Sequence, residues 1–530
     1  MRPVHLVALA LPVACGGQAQ SGSASPAGSA DGGARGPDGG AVQARAERSG
    51  TRIQIVDWFS GDVPVARKEL RDTKHDVPCV AARAEDGTFR CLPVSQGGTV
   101  HFLDDRCKVP VISVSASPEP GCHETPSPYV THPAPVSCPE PRTFVALRGE
   151  AIDTPTTLYD SRGYENCLPA VPPAEPFYAA IPSPPGDWAP LTREVLEETP
   201  GLGIEVFYGE DGSRALGTLR ILPEDAECVP HSDDGLKPPP YGRALPAHCA
   251  PARPAELGPW TTTPSCNTDQ GAVIGSPRCD PQPFARDFRR GFVRAGPPVE
   301  TDVWLYLLGA CGNVTELPDT VFHLPGETLP ITSFQRLDLV RVAAGPVERL
   351  GWTAREGGAF LPDVEINVHP SALLPGASRG IGWSDPAAGE NGLCLPRLFE
   401  EGTVLCVPPD TGFEAWGPAA SMTVFSDPSC GADSAIDVFA TERNGVFPVP
   451  QEGQWIVKNP PTLPGSIGLF AACMSDGVEV RRATGRHEGP AYVRFGPTCS
   501  AIDPNEWLVV DLGPPVPAKD VLPALTARAL

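Results

Sequence analysis

The chain has 530 residues, enough for roughly three or four domains of ordinary size. Its 66 prolines and 55 glycines argue against long helices, because proline lacks a backbone N–H and glycine loses more conformational entropy than other residues in regular elements. The formal net charge of -23 argues against nucleic acid as a partner, because an acidic surface repels phosphates.

Residues 1–14 have the features of an export signal. They carry a positive charge at Arg2 and an apolar run from Leu6 to Ala14, directly before Cys15. This pattern resembles a bacterial lipoprotein signal, in which the peptidase cuts before a cysteine that then carries a diacylglycerol. The resemblance implies lipidation of Cys15 and an anchor in the bacterial membrane; a plain secretory signal is the alternative.

Residues 15–50 are rich in Gly, Ser and Ala and have almost no large apolar side chain. Such a segment cannot bury enough apolar surface to offset the entropy of ordering, so we predict a flexible tether. The predicted localisation is therefore export, with a lipid anchor at the outer membrane or the cell surface.

The cysteines indicate an oxidising compartment. Of the 17 in the chain, 16 remain when Cys15 is set aside, and this number is even. Their spacing matches neither CxxC motifs nor Cys/His zinc ligands, so we predict disulfides, with no metal and no cofactor.

The first recurring element is a cysteine-bounded hairpin. CVAARAEDGTFRC (79–91) and CLPRLFEEGTVLC (394–406) share an acidic pair followed by Gly-Thr, and each precedes an aliphatic-Pro dipeptide. Folding the first copy about its middle places Arg83 opposite Gly87 and Cys79 opposite Cys91. Opposed residues lie within reach of a disulfide, so we predict Cys79–Cys91 and Cys394–Cys406, with a degenerate third copy from Cys228 to Cys249.

Two further cysteine-containing elements recur. One runs from cysteine to cysteine through two strands, and we predict a disulfide between its ends, in the pairs Cys138–Cys167, Cys279–Cys311 and Cys473–Cys499. The other ends in a cysteine, in TVHFLDDRC at Cys107, TTTPSC at Cys266 and TVFSDPSC at Cys430. Cys122 is the candidate partner of Cys107, whereas Cys266 and Cys430 have no counterpart of Cys122 and stay unassigned.

These repeats divide the body into three units, at residues 51–200, 201–334 and 335–530, each with two hairpin-rich halves. Strands separated by turn signals predict an all-β fold, with short helices only at 190–199 and in 518–530. Three units of two sheets favour a six-bladed β-propeller-like array, closed by the first strand near 506–512. Three tandem β-sandwich modules are the alternative.

At DGTFRCLP, FLDDRC, EDGSRALG and the cysteine-to-cysteine elements, the chain resembles a set of cysteine-rich lipoproteins of unknown function from myxobacteria. The resemblance covers most of residues 51–510. It implies an exported, surface-tethered β-protein, and it supplies no catalytic residue.

Few residues indicate catalysis. GASRG fits a nucleophile elbow with Ser378, but the elbow needs a parallel α/β sheet that this sequence does not predict. The acidic turns EDGT (85–88) and EDGS (210–213) are interpreted as tight turns rather than calcium loops, and the tryptophans as core rather than as a sugar-binding face.

Two functions follow from the sequence. The first is a non-catalytic binding or interaction protein at the cell surface, with an extracellular glycan or a protein as ligand. The second is a secreted carbohydrate-active hydrolase or lyase on a β-propeller, with two catalytic carboxylates. The absence of a recognisable catalytic motif favours the first.

Overall fold

The computed structural model describes residues 47–94, 98–114, 128–133, 142–162, 166–232, 247–252, 254–267, 271–278, 281–287, 291–307, 310–315, 320–344, 347–354, 361, 381–385, 390–393, 395–398, 403–407, 423–442, 452–453, 455–458, 479–495 and 498–530. Several predicted sites lie outside these residues, namely Cys15, Cys122, Cys138, Cys279, Ser378, Cys394 and Cys473. Nearly all regular structure in the described residues is β-strand, which confirms the all-β prediction.

The strands alternate along the chain between groups that we call sets and modules. Set 1 comprises β1 (Ile53–Ser60), β2 (Val63–Asp72), β3 (Val77–Arg83) and β4 (Phe89–Pro93). Module I comprises β5 (Gly98–Phe102), β6 (Pro110–Val114), β7 (Tyr129–Pro133), β8 (Thr143–Ile152), β9 (Leu158–Arg162), β10 (Asn166–Ala170) and β11 (Phe177–Pro182). Set 2 comprises β12 (Pro190–Thr199), β13 (Leu202–Gly209), β14 (Arg214–Ile221), β15 (Ala226–Ser232) and β16 (Ala247–Pro251).

The second half repeats the alternation. Module II comprises β17 (Ala255–Thr261), β18 (Ala272–Pro277), β19 (Phe284–Asp287), β20 (Gly291–Pro298), β21 (Trp304–Leu307), β22 (Ala310–Asn313) and β23 (Thr320–Leu329). Set 3 comprises β24 (Arg336–Ala344), β25 (Val347–Thr353), β26 (Ile381–Asp385), β27 (Glu390–Leu393), β28 (Leu395–Leu398) and β29 (Val404–Val407). Module III comprises β30 (Val424–Phe425), β31 (Ala435–Ile436), β32 (Val438–Glu442), β33 (Trp455–Lys458), β34 (Glu479–Arg486), β35 (Tyr492–Phe495), β36 (Thr498–Ala501), β37 (Trp507–Leu512) and β38 (Val516–Pro517), and β39 (Ala524–Ala529) follows it.

Helices are short in the part of the chain that the structure describes. They are 3-10 turns at Pro185–Asp187, Ile331–Ser333 and Ala432–Ser434, and a one-turn α-helix, α1 (Ala518–Val521).

The three sets and β39 form one antiparallel sheet of 16 strands. Its order is β28-β29-β39-β1-β2-β3-β4-β12-β13-β14-β15-β16-β24-β25-β26-β27. The two ends of this order, β27 and β28, are separated in the chain only by Cys394. The paired strands therefore run through all three sets, and the last strand of the order is next to the first in the sequence. We call this order the circuit of pairings.

Modules I and II each form a sheet of seven strands, and module III forms sheets of four and five strands. One sheet is thus shared by all three sets, whereas the prediction had two separate sheets in each unit. The sets join edge to edge because β12 pairs with β4 as well as β13, and β24 pairs with β16 as well as β25. The six-bladed arrangement stays a prediction.

One contact occurs three times where the chain re-enters the shared sheet. A helical turn precedes β12, β24 and β39 in each case, and an apolar residue after the turn is buried: Trp188, Phe334 and Leu522. The carbonyl of the next residue accepts a hydrogen bond from a cysteine N–H, in the pairs Cys91 to Ala189 (3.0 Å), Cys249 to Gln335 (2.9 Å) and Cys406 to Pro523 (2.8 Å). β12, β24 and β39 therefore occupy equivalent positions, which we call the entry strands.

Side chains from distant parts of the shared sheet pack together. β2 packs against β24 and β25, which lie far from it in the strand order. Trp58, Val65, Val347, Leu405 and Leu525 are buried in one cluster there. This cluster is thus a hydrophobic core, which stabilises the sheet by removing apolar surface from water.

The predicted Cys79–Cys91 disulfide is present, but the hairpin register differs from the prediction. Cys91 lies opposite Ala81, and Cys79 lies opposite Pro93. The loop is longer than predicted, because Gly87 adopts a left-handed conformation (φ 83°) and the N–H of Ala84 donates to the carbonyl of Thr88. A shift by two residues keeps every side chain on its predicted face.

The same register occurs in the other two cysteine-bounded hairpins. Cys249 lies opposite Pro230 and bonds to Cys228, as Cys91 lies opposite Ala81. Cys406 lies opposite Pro396 and is itself disulfide-bonded, although its predicted partner Cys394 is outside the described residues.

A second kind of disulfide, which we call the module disulfide, occurs once in each module. The bonds are Cys107–Cys167, Cys266–Cys311 and Cys430–Cys499. The first member of each bond adopts a left-handed backbone conformation, with φ of 51°, 53° and 49°. The assignment of Cys107 to Cys122 is therefore wrong. The pairs Cys138–Cys167, Cys279–Cys311 and Cys473–Cys499 are wrong too, because the second cysteine of each bonds to Cys107, Cys266 or Cys430 instead.

The predicted helices and the predicted closing strand need correction. Residues 190–199 form β12, whose backbone groups pair with strands on both sides, so tertiary pairing overrides local propensity. Residues 518–530 form only one helical turn before Pro523, and then β39. β39, rather than 506–512, pairs with β1, because β37 is held between β32 and β34.

Candidate functional site

Module I places a serine, a histidine and an aspartate side by side. His101 lies on β5, Ser113 on β6 and Asp160 on β9, and β5 pairs with both of the other strands. Thr99 lies opposite Ser113 and His101 opposite Val111, so His101 and Ser113 share one face of the sheet. Phe102 lies opposite Tyr159, so Asp160 lies beside His101 on the same face. Strand alternation and the pairing of β5 with its two neighbours therefore bring the three side chains together.

The distances in this group match a Ser-His-Asp triad. Nδ1 of His101 lies 2.6 Å from Oδ1 of Asp160, and Nε2 lies 3.0 Å from Oγ of Ser113. A carboxylate at Nδ1 favours the tautomer that carries its proton there, which leaves Nε2 to accept the hydroxyl proton of serine. The group can therefore move a proton from Ser113 towards His101.

The burial of the three residues is the reverse of that in a working triad. Ser113 is 1% exposed and His101 is 7% exposed, whereas the side chain of Asp160 is 39% exposed. A nucleophile must reach substrate, and the carboxylate is normally the buried member. In addition, β6 pairs with a strand on each side, so its backbone N–H groups are used in hydrogen bonds between strands. They are therefore not available to form an oxyanion hole. The group is therefore a satisfied buried network that links three strands.

We expect module I to lose stability as the pH falls from about 6.5 to about 4, because of His132 on β7. Burial lowers the pKa of His132 from 6.5 to about 4, while Asp160 raises it and His101 lowers it. The unfolded chain takes up a proton below pH 6.5 and the folded chain only below about 4. The contribution of His132 to the free energy of unfolding is thus fully present above pH 6.5. It is lost as the pH falls to about 4, by about 3 kcal/mol in all.

Urea unfolding followed by circular dichroism across the window measures this effect. The variant His132→Phe is a matched control, because a phenyl ring fits beside Phe102, whose ring lies 5.6 Å from that of His132. Its free energy of unfolding should depend less on pH than that of the wild type. An unchanged slope would show that other groups cause the acid loss.

A second polar cluster lies where module I returns to the shared sheet. The carbonyl of Asp187 accepts a hydrogen bond from Lys74 (3.2 Å) and from Arg52, and it lies 3.0 Å from Nε2 of His75. Arg52 also binds the fully buried carboxylate of Asp72, at 2.7 Å. Lys74 also forms an ion pair with the carboxylate of Asp187 (3.8 Å), so the cations and carboxylates of this cluster pair with each other and join two parts of the fold.

Aromatic rings complete this joint. The ring of Trp188 lies 4.4 Å from that of His75 and 4.9 Å from that of Tyr129, and the hydroxyl of Tyr129 lies 3.2 Å from Nδ1 of His75. His75 lies between β2 and β3 of the shared sheet, and Tyr129 lies on β7 of module I. Trp188 therefore fixes module I against set 1.

The acidic turns bind backbone groups, in agreement with their interpretation as tight turns. The carboxylate of Asp86 accepts hydrogen bonds from the N–H and hydroxyl of Thr88. That of Asp211 accepts from the N–H groups of Arg52, Ile53 and Ser213. Asp211 thereby fixes the start of β1 to the turn between β13 and β14.

Most tryptophans for which burial is described contribute to packing. Trp58, Trp188 and Trp352 are buried, and Trp260, Trp304 and Trp507 are half-buried. The elbow serine, Ser378, lies outside the described residues.

Sequence reasoning missed the Ser-His-Asp group. Folding TVHFLDDRCKVPVISV (99–114) as a hairpin would have placed His101 near Ser113, because the pairing is local. Asp160 gave no such signal, since β9 joins β5 across a long stretch of sequence.

Among the residues that the structure describes, no group of three or more His, Cys, Asp or Glu side chains converges as metal ligands. Within the same residues, no helix combines the length and the apolar character needed to span a membrane. Comparison of the chain with models of protein families, with curated proteins and with solved structures finds no match in any of the three.

Proposed function

We propose that the protein is an exported, lipid-tethered binding protein at the bacterial cell surface, without catalytic activity, like the cysteine-rich lipoproteins that it resembles. The disulfides carry this proposal. Five bonds link described cysteines, one within each module and two within the shared sheet. Disulfides of this density form and persist in oxidising compartments, where they stabilise scaffolds that present binding surfaces.

We further propose that the three sets stand radially about the enclosed core, so that the modules project outwards as three separate surfaces. The circuit of pairings and the equivalent entry strands support this arrangement. This radial arrangement corresponds to the propeller-like fold that the sequence predicts. An extracellular glycan or a protein is the proposed ligand.

The alternative is a carbohydrate-active hydrolase or lyase, which would need two carboxylates facing a sugar ring. The buried carboxylates of Asp72 and Glu205 do not suit this role, because Arg52 and Arg193 bind them.

Two measurements on the purified protein distinguish these functions. Binding to glycans on an array, without release of reducing sugar from the same glycans, is expected for the binding protein. Release of reducing sugar would contradict it and support the enzyme.

The tether is tested separately in a bacterial host. Incorporation of a labelled fatty acid is expected in the wild type and not in Cys15→Ser. Labelling of both proteins, or of neither, would refute lipidation at Cys15.

A further inference from the structure

The three entry strands differ in how they connect to the next strand of the shared sheet. β12 continues into β13 through residues 200–201, and β24 continues into β25 through residues 345–346. β39 occupies the equivalent position beside β1, yet it follows module III in the chain, so no turn joins it to β1. Set 1 is therefore completed by non-covalent contacts alone at this position, which we call the seam.

Main-chain pairing dominates the seam. β39 pairs with β1 from Val56 opposite Ala529 to Phe59 opposite Thr526. On its other side it pairs with β29, with Leu525 opposite Val404. The N–H of Leu530 also donates to the carbonyl of Ile55, at 2.9 Å.

Few side chains of β39 are buried in the seam. Leu525 is 4% exposed and packs in the cluster that contains Trp58 and Leu405, whereas residues 526–530 are exposed. Arg528 forms an exposed ion pair with Asp62 (2.9 Å), which contributes little in water. A ladder of main-chain bonds with one apolar anchor is how sheets bind extended peptides.

We propose that the slot between β1 and β29 accepts an extended strand from a second copy of this chain, in exchange for its own β39. A second copy is the partner that fits best, because its residues 524–529 reproduce every pairing of the resident strand. Once the resident strand has left, the identical strand of a second copy restores the contacts that were lost. The two copies would then be joined through their seams.

The test uses the full-length protein and a fluorescent peptide with the sequence of residues 516–530. In the variant Leu525→Ala the resident strand loses its anchor, so this protein should bind the peptide at least about tenfold more tightly than the wild type does. A peptide carrying Leu525→Asp should not bind. Peptide binding is measured by fluorescence anisotropy, and the oligomeric state by size-exclusion chromatography with light scattering.

Each outcome decides the proposal. Dimers of the wild-type protein, whose strands keep Leu525, that dissociate with excess wild-type peptide support strand exchange. A natively folded Leu525→Ala protein that binds no peptide overturns the slot, and a wild-type protein that stays monomeric at every concentration tested overturns the second copy as partner. If Leu525→Ala fails to fold, the milder Leu525→Val replaces it, because valine keeps a smaller apolar side chain in the cluster with Trp58 and Leu405.

Discussion

Replacing Trp188 with alanine is expected to lower the free energy of unfolding by about 3–5 kcal/mol. Trp188 is fully buried, and it packs with Val77 and Leu92 of the shared sheet and with Val145 of module I. Its removal leaves a cavity at the joint between the two parts, and close-packed surroundings relax only partly into such a space. Urea unfolding followed by circular dichroism measures the loss.

Two variants control for this effect. Val171→Ala changes a side chain that is 89% exposed, and it should alter the free energy by less than about 0.5 kcal/mol. Trp188→Phe should cost far less than Trp188→Ala, because the phenyl ring retains much of the volume. This substitution also removes Nε1 of Trp188, which is buried and has no hydrogen-bond partner among the residues that the structure describes. If Trp188→Ala behaves like Val171→Ala, the joint does not depend on this ring.

The second large effect is expected from the module disulfide Cys430–Cys499. The bond closes a loop with a sequence separation of 69, whereas Cys79–Cys91 closes one of 12. In the chain-entropy model, replacing both cysteines with alanine should cost about 4 kcal/mol for the long loop and about 3 kcal/mol for the short one. The cost arises in the unfolded state, which gains freedom when the cross-link is removed.

The two double variants are compared by urea unfolding under non-reducing conditions, after thiol titration has shown that no other bond has opened. Cys79, Cys91 and Cys430 are buried, whereas Cys499 is half-buried, so replacing the hairpin pair removes somewhat more packing than replacing Cys430 and Cys499. An equal loss, or a larger loss for the hairpin bond, would contradict the entropic account. It would indicate that native packing around Cys79 and Cys91 dominates.

Local features of the fold were predictable from sequence, and long-range pairings were not. Alternation and turn residues predicted the hairpin with Cys79 and Cys91, because both strands lie within one short segment. The register was wrong by two because the loop conformation depends on Gly87 and on hydrogen bonds that the sequence does not specify. The Cys107–Cys167 bond was missed because it joins segments far apart in the chain.

The misassigned helix at 190–199 shows the same limit. This segment contains good helix formers such as Leu196 and Glu197, so local propensity allows a helix. It forms β12 because β4 and β13 offer partners on both edges, and one of those partners lies in another set. The Ser-His-Asp group shows the same limit. The contact of His101 with Ser113 was predictable because both lie in one local hairpin, whereas Asp160 lies on a strand that is distant in sequence.

The position of β39 also determines the order in which the protein can fold. Strands β1 and β29 both have an unsatisfied edge until β39 has been synthesised and module III has brought it back to β1. Contacts between such distant segments slow folding, because the entropy of closing the intervening chain is lost before the contact stabilises anything. A newly synthesised chain would therefore pass through a long-lived state with two open strand edges, in which protection from aggregation matters most.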